Sequence, residues 1–214
     1  MLQIQLPDLE NFEMAVSEER RQRILGIKAE AERLFGDDSI CDCESLARLC
    51  YWLINISPYQ DAYIGTWNND EEAFVEDIGY VLCEINPSWP IPGRRSDDRD
   101  LMLKPGYAGS SCFLPYLKDT SNQVRHFWAY VQAGYQFRAT IFGFTAAAVR
   151  EESMADFELG MIGSAMGAGL DWHPYDAVGM GLSLEDVPNY IRQHLCGFRE
   201  RPGSPPTYVP TEED

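Results

Sequence analysis

The stretch SNQVRHFWAYVQAGYQF-RATIFGFTAAAVREES-MADFELGMIGSAMGAGL, residues 121–170, decides the fold. Val124, Phe127, Trp128, Val131, Gly134 and Tyr135 recur at the i, i+3, i+4, i+7 spacing of one helical face, with Ser121 or Asn122 available as an N-cap. A second amphipathic run, Ile141 to Val149, follows after so few residues that an antiparallel hairpin is expected. Ser153 and Asp156 supply start signals for a third helix beside the end of the second. The chain thus predicts a three-helix unit in which Arg125, His126, Arg150, Glu151, Glu152, Asp156 and Glu158 gather at one end.

Small residues say how that unit holds together. Gly143, Ala146 and Ala147 share a face of the second helix, and Gly160, Gly163, Ser164 and Gly167 occupy one side of the third. Each glycine inside a helix costs ~1 kcal/mol relative to alanine, so several together imply a close approach of backbones. The Gly163-to-Gly167 spacing is a membrane pairing pattern only inside about 20 apolar residues. The run Phe157 to Leu170 is shorter and contains Glu158, which predicts a buried helix of a globular protein.

Glu151 and Glu152 fall at the carboxyl end of a helix, where the macrodipole disfavours an anion, so a cation is expected beside them. Arg125 and His126 are the candidates. Two readings follow from the same residues. In one, the junction is a structural ion-pair network. In the other it is a catalytic centre: His126 as general base or metal ligand, Glu151 or Glu152 as its orienting group or acid, Asp156 holding a water or ion, and Arg125 stabilising developing negative charge.

An R-H-F-x-W-like opening (Arg125, His126, Phe127, Trp128), an alanine-rich second helix ending in Arg150 and Glu151, and a D-F-E-L-G third helix with Asp156, Leu159 and Gly160 resemble uncharacterised helical domains of bacterial proteins, some of them toxin-like modules. The resemblance covers about a quarter of the chain and implies an all-helical domain without fixing an activity.

The rest of the chain continues the helical pattern. A helix is expected from about Ser17 to Phe35, stopped by Gly36, with Ile24, Ile27, Ala31 and Leu34 in its apolar stripe. Leu46, Leu49, Cys50, Leu53 and Ile54 mark a buried helix over 43–56, and Phe74, Ile78, Val81 and Leu82 another from Asp70. Ser183 opens a last one that ends near Cys196 and Gly197. Residues 86–120 carry no period and read as a long irregular connection, the kind of loop that often serves function. These elements make an all-α, single-domain helical bundle over 1–197, with 1–36 as an N-terminal helical extension and 198–214 as a disordered, acidic, proline-rich tail.

Charge and composition bound the function. With 34 acidic and 17 basic residues in 214, the formal charge is −17, which argues against nucleic acid as a partner and allows a cationic protein partner. No stretch qualifies as a membrane span, and MLQIQLPDLENFEMAV lacks a basic-then-apolar leader, so the cytoplasm is the default compartment, with export lacking a cleavable signal left open. Six cysteines at C-x-C-x6-C and scattered positions fit no zinc pattern, and reduced thiols are expected, with a metal at Cys41 and Cys43 or one or more disulfides as alternatives. Asp171, His173 and Asp176 form a short D-x-H-x-x-D turn that could hold an ion; cofactor and metal binding both stay open. Walker, Rossmann and H-E-x-x-H signatures are absent. Two functions remain: a hydrolase-like enzyme built on His126 and its carboxylates, or a non-catalytic helical binding protein with an acidic surface.

Overall fold

A computed structural model describes residues 17–63, 70–83, 99–104, 107, 109–118, 122–137, 153–170 and 181–196. Six α-helices carry the described chain: α1 (Glu18–Phe35), α2 (Asp42–Asn55), α3 (Asp70–Leu82), α4 (Gln123–Phe137), α5 (Met154–Leu170) and α6 (Val187–His194). Among the described residues there is no strand, and the all-α class read from the sequence holds. Short 3-10 turns at Arg99–Leu101 and Pro115–Leu117 punctuate the connection before α4. The expected helix over 141–149, the Asp171/His173/Asp176 turn, the N-terminal 16 residues and the tail lie outside the described residues.

The helices form where their apolar stripes place them, except that the last one opens from Ser183 as a 3-10 turn, Leu184–Asp186, before becoming α-helical at Val187. Ser17 caps α1 by accepting from the Arg20 amide at 3.3 Å, and the Gly36 amide closes the other end on the Glu32 carbonyl. Ile24, Ile27, Ala31 and Leu34 of α1 are buried, as are Leu46, Leu49, Cys50 and Leu53 of α2 and Phe74, Ile78 and Val81 of α3. Trp128 of α4 sits at the centre. It is fully buried, its ring meets Phe74 and Phe127 edge-on at 5.9 and 6.3 Å, and its indole N–H donates to the Val75 carbonyl at 3.0 Å. That bond satisfies the one polar atom of the largest core side chain.

A charged knot lies inside this apolar frame. The Asp77 carboxylate of α3, 0% exposed, accepts from Arg20 Nε and Arg23 Nε of α1 at 2.7 Å each and from the Tyr63 hydroxyl at 2.8 Å. Arg20 also donates to Glu76 at 2.6 Å and lies over the Tyr80 ring, while Arg23 lies over Tyr63. Two guanidinium groups thus face two carboxylates, and the buried acid has donors on both oxygens. Burial, followed by the Asp77 charge, pushes the Tyr63 hydroxyl far up, so it remains a donor.

Four of the six cysteines depart from the reduced-thiol expectation. Cys41 pairs with Cys112 and Cys43 with Cys196, each with Cα atoms 5.7 Å apart, the separation normal for a disulfide. Both bonds start at the amino end of α2, one to the 109–118 segment and one to the end of α6. Cys50 lies outside them, and burial pushes its thiol up, which leaves it unreactive. Arg192 of α6 reinforces the same seam by donating to both oxygens of Glu44 at 2.9 and 2.7 Å.

Removing the acid at the centre of the knot takes the Asp77 partner from two part-buried guanidinium groups, leaving Arg20 with Glu76. Asp77→Ala is predicted to lower unfolding free energy by about 3–5 kcal/mol in urea titration; a loss under about 1 kcal/mol would show that water reaches the arginines. A second prediction concerns acid. Burial alone would raise the Glu44 carboxyl, but hydrogen bonds and charge from Arg192 and Arg48 outweigh it and hold it below its ordinary value of 4.5. A depressed acid stabilises the fold above its unfolded pKa, and that contribution disappears as pH falls through the folded value. Glu44→Gln should therefore cost stability near neutrality and flatten the fall of melting temperature below about pH 4.5 relative to wild type.

Candidate functional site

Helices α4 and α5 set the geometry of the site. A Cβ built on Gly163 would lie 2.7 Å from the Phe127 carbonyl oxygen, one on Gly167 would lie 2.0 Å from that of Val131, and one on Gly134 would lie 2.2 Å from that of Ser164. Backbone therefore touches backbone, as the glycine pattern predicts. The contacts advance together along both helices, from 127 with 163 to 131 with 167, so the helices run parallel and their amino ends lie side by side.

That arrangement brings His126 to Asp156. His126 Nδ1 lies 3.2 Å from Asp156 Oδ1, with the ring 36% exposed and the carboxylate side chain 12%. Local sequence explains how the acid is held. Ser153 begins α5, and its hydroxyl accepts from the Asp156 amide at 3.1 Å. In the corresponding motif at the 3-10 turn Leu184–Asp186, just before α6, Asp186 reciprocates by accepting from both the amide and the hydroxyl of Ser183, at 3.2 and 2.8 Å. Asp156 instead turns its carboxylate to His126. A carboxylate can only accept, so a hydrogen bond across this contact requires the imidazole hydrogen on Nδ1, which would leave the lone pair of a neutral ring on Nε2.

The other sequence candidates fall differently. Arg125, one residue along the helix, directs its guanidinium to the Leu103 and Lys104 carbonyls at 2.9 and 3.2 Å, which anchors the 99–104 segment to α4. Glu151 and Glu152 lie outside the described residues. Among the described residues, no group of three or more His, Cys, Asp or Glu side chains is arranged to hold a metal ion. No helix among them is long and apolar enough to cross a membrane.

Sequence reading missed the Asp77 knot, although a signal was present. Asp77 falls on the Phe74, Ile78, Val81 stripe of α3, and Arg20 and Arg23 fall on the Ile24, Ile27 stripe of α1. Charges of opposite sign on two apolar stripes are a buried pair in waiting. Each of the three is hydrogen-bonded within the knot, which assigns them to structure.

No family model matches the chain, and no curated protein or solved structure matches it. The chemistry is therefore read from the side chains alone.

The close approach of α4 and α5 gives a direct test. Gly167→Ala puts a methyl group against the Val131 carbonyl and the Tyr135 amide, both backbone, so one helix must shift. The predicted loss is about 1–3 kcal/mol in chemical denaturation, despite alanine's better helix propensity. An unchanged or raised stability would mean that the helices are not in backbone contact.

Proposed function

We propose that the protein is a hydrolase-like enzyme in which His126 is the general base and Asp156 its orienting partner. The observation that carries this reading is the 3.2 Å contact between Nδ1 and the carboxylate on a ring still 36% open to solvent. With Nδ1 as donor, Nε2 takes a proton from water as the water oxygen attacks an acyl carbon. The imidazolium so formed faces Asp156, and its proton then passes to the leaving alkoxide. Water and ester become acid and alcohol, with the ring returned to its starting form. Acid–base assistance of this kind contributes about 10²–10⁴-fold to rate.

The two disulfides favour a life in an oxidising compartment over the cytoplasm expected by default, because cytosolic thiols are kept reduced. Export accords with the resemblance to toxin-like helical modules. A second reading draws on the formal charge of −17: a non-catalytic binding protein whose acidic surface recognises a cationic partner, with His126 and Asp156 pinning α4 to α5.

One experiment separates the two. Hydrolysis of p-nitrophenyl acetate by the purified protein is measured beside thermal stability for wild type, His126→Ala and Asp156→Asn. The enzyme reading predicts a fall in kcat/KM of about 10²-fold or more for His126→Ala, a smaller one for Asp156→Asn, and little change in melting temperature for a ring this exposed. Equal hydrolysis by wild type and His126→Ala, together with a clear loss of stability, assigns the pair to structure.

A further inference from the structure

The two disulfides leave the same end of α2 but are chemically unequal. Cys112 is exposed and Cys41 half-buried, whereas Cys43 is 0% exposed and its partner Cys196 half-buried. A dithiol reducing a disulfide attacks the accessible sulfur, and the other sulfur leaves as a thiolate; the better that thiolate is stabilised, the faster it leaves. Attack on Cys112 expels Cys41, which is the N-cap of the 14-residue α2 and only half-buried. The acids of that helix's first turn are already engaged, Asp42 by Gly109 and Ser111 and Glu44 by Arg48 and Arg192. Attack on Cys196 expels Cys43 into the apolar core beside Leu46 and Ala47, where a thiolate loses its hydration.

Cys112 also has φ of +59°, a left-handed backbone that a side-chain-bearing residue rarely adopts. The residue is held there by its surroundings, between Ser111, whose hydroxyl donates to Asp42 at 2.6 Å, and the buried Phe113.

What the 109–118 segment holds is the start of α4. The Gly109 carbonyl accepts from the Val124 amide at 3.3 Å, and the Leu117 carbonyl accepts from the Gln123 side chain at 2.8 Å. His126 is one turn further on. The covalent tie at Cys112 and the helix end that carries the candidate base are therefore parts of one continuous set of contacts.

We propose that Cys41–Cys112 is a thiol–disulfide exchange site for a dithiol, opened selectively while Cys43–Cys196 persists, and that its opening loosens the amino end of α4 and with it the His126–Asp156 contact. In the first step a thiolate of the dithiol bonds to Cys112 and Cys41 leaves as thiolate. In the second, the remaining thiol of the reagent, after losing its proton, attacks its own mixed-disulfide sulfur and releases Cys112. The dithiol is oxidised to a disulfide, and Cys41 and Cys112 take up two electrons and two protons. The regulatory half of this proposal rests on the His126 reading; the exchange half does not.

The test uses the intact oxidised chain under native conditions. Graded dithiothreitol is followed by trapping with N-ethylmaleimide and peptide mapping. Cys41 and Cys112 should become labelled at least about tenfold faster than Cys43 and Cys196. Equal rates, or earlier opening of Cys43–Cys196, overturn the exchange site. His126 ring resonances are then followed by NMR in the half-reduced protein and in the Cys41→Ser, Cys112→Ser double variant. Shifted or broadened His126 signals, with Leu53 and Ile191 methyl signals unmoved, support the coupling. An unmoved His126 overturns the coupling even where the labelling order holds, and loss of the hydrolase reading leaves the labelling result standing.

Discussion

The contact of backbone on backbone between α4 and α5 is the constraint from which the rest of the arrangement follows. Gly163 and Gly167 let α5 approach the Phe127 and Val131 carbonyls as no larger residue could, and Gly134 admits Ser164 from the other side. Because the two helices run parallel, their first turns are neighbours, and the only imidazole of α4 meets the first acid of α5. Glycine in a helix interior is costly in isolation. Here the cost is offset by the packing that the missing side chains permit, and the product is a fixed distance between two polar groups.

Around that pair of helices the other elements act as a frame. Trp128 ties α4 to α3 through Val75, and the Asp77 knot ties α3 to α1. At the opposite seam, the two disulfides and the Glu44–Arg192 bridge tie α2 to the connection before α4 and to α6. Buried charge of this kind contributes little net stability compared with apolar packing, but it penalises any arrangement that leaves one member alone. The knot therefore fixes which face of α1 meets α3, and the apolar stripes supply the bulk of the driving force.

How much of this was legible in the chain differs from element to element. Helix positions were legible because the apolar residues repeat at helical spacing and the ends carry their own signals, such as Ser17 and Gly36. That Asp156 would lie near His126 was legible because three short-linked runs of helical spacing imply that the third begins beside the first, although that reading set His126 opposite Glu151 and gave Asp156 a water or ion to hold. Glu151 and Glu152, which the same reasoning placed there, lie outside the described residues. The disulfides were not legible, since their partners are separated by 71 and 153 residues and nothing local pairs them. The Asp77 knot escaped for a related reason: an acid in an apolar stripe announces that it needs partners but not that they sit more than 50 residues earlier in the chain.

The claim on which the functional account turns is that Asp156 holds the His126 ring with its hydrogen on Nδ1 and its lone pair on Nε2. Ring nitrogen-15 shifts and couplings of selectively labelled histidine, recorded above the titration range, read that tautomer directly. The account predicts a dominant Nδ1–H form in the wild-type protein that shifts toward Nε2–H in Asp156→Ala. A wild-type ring already in the Nε2–H form, or one indifferent to loss of the carboxylate, contradicts it.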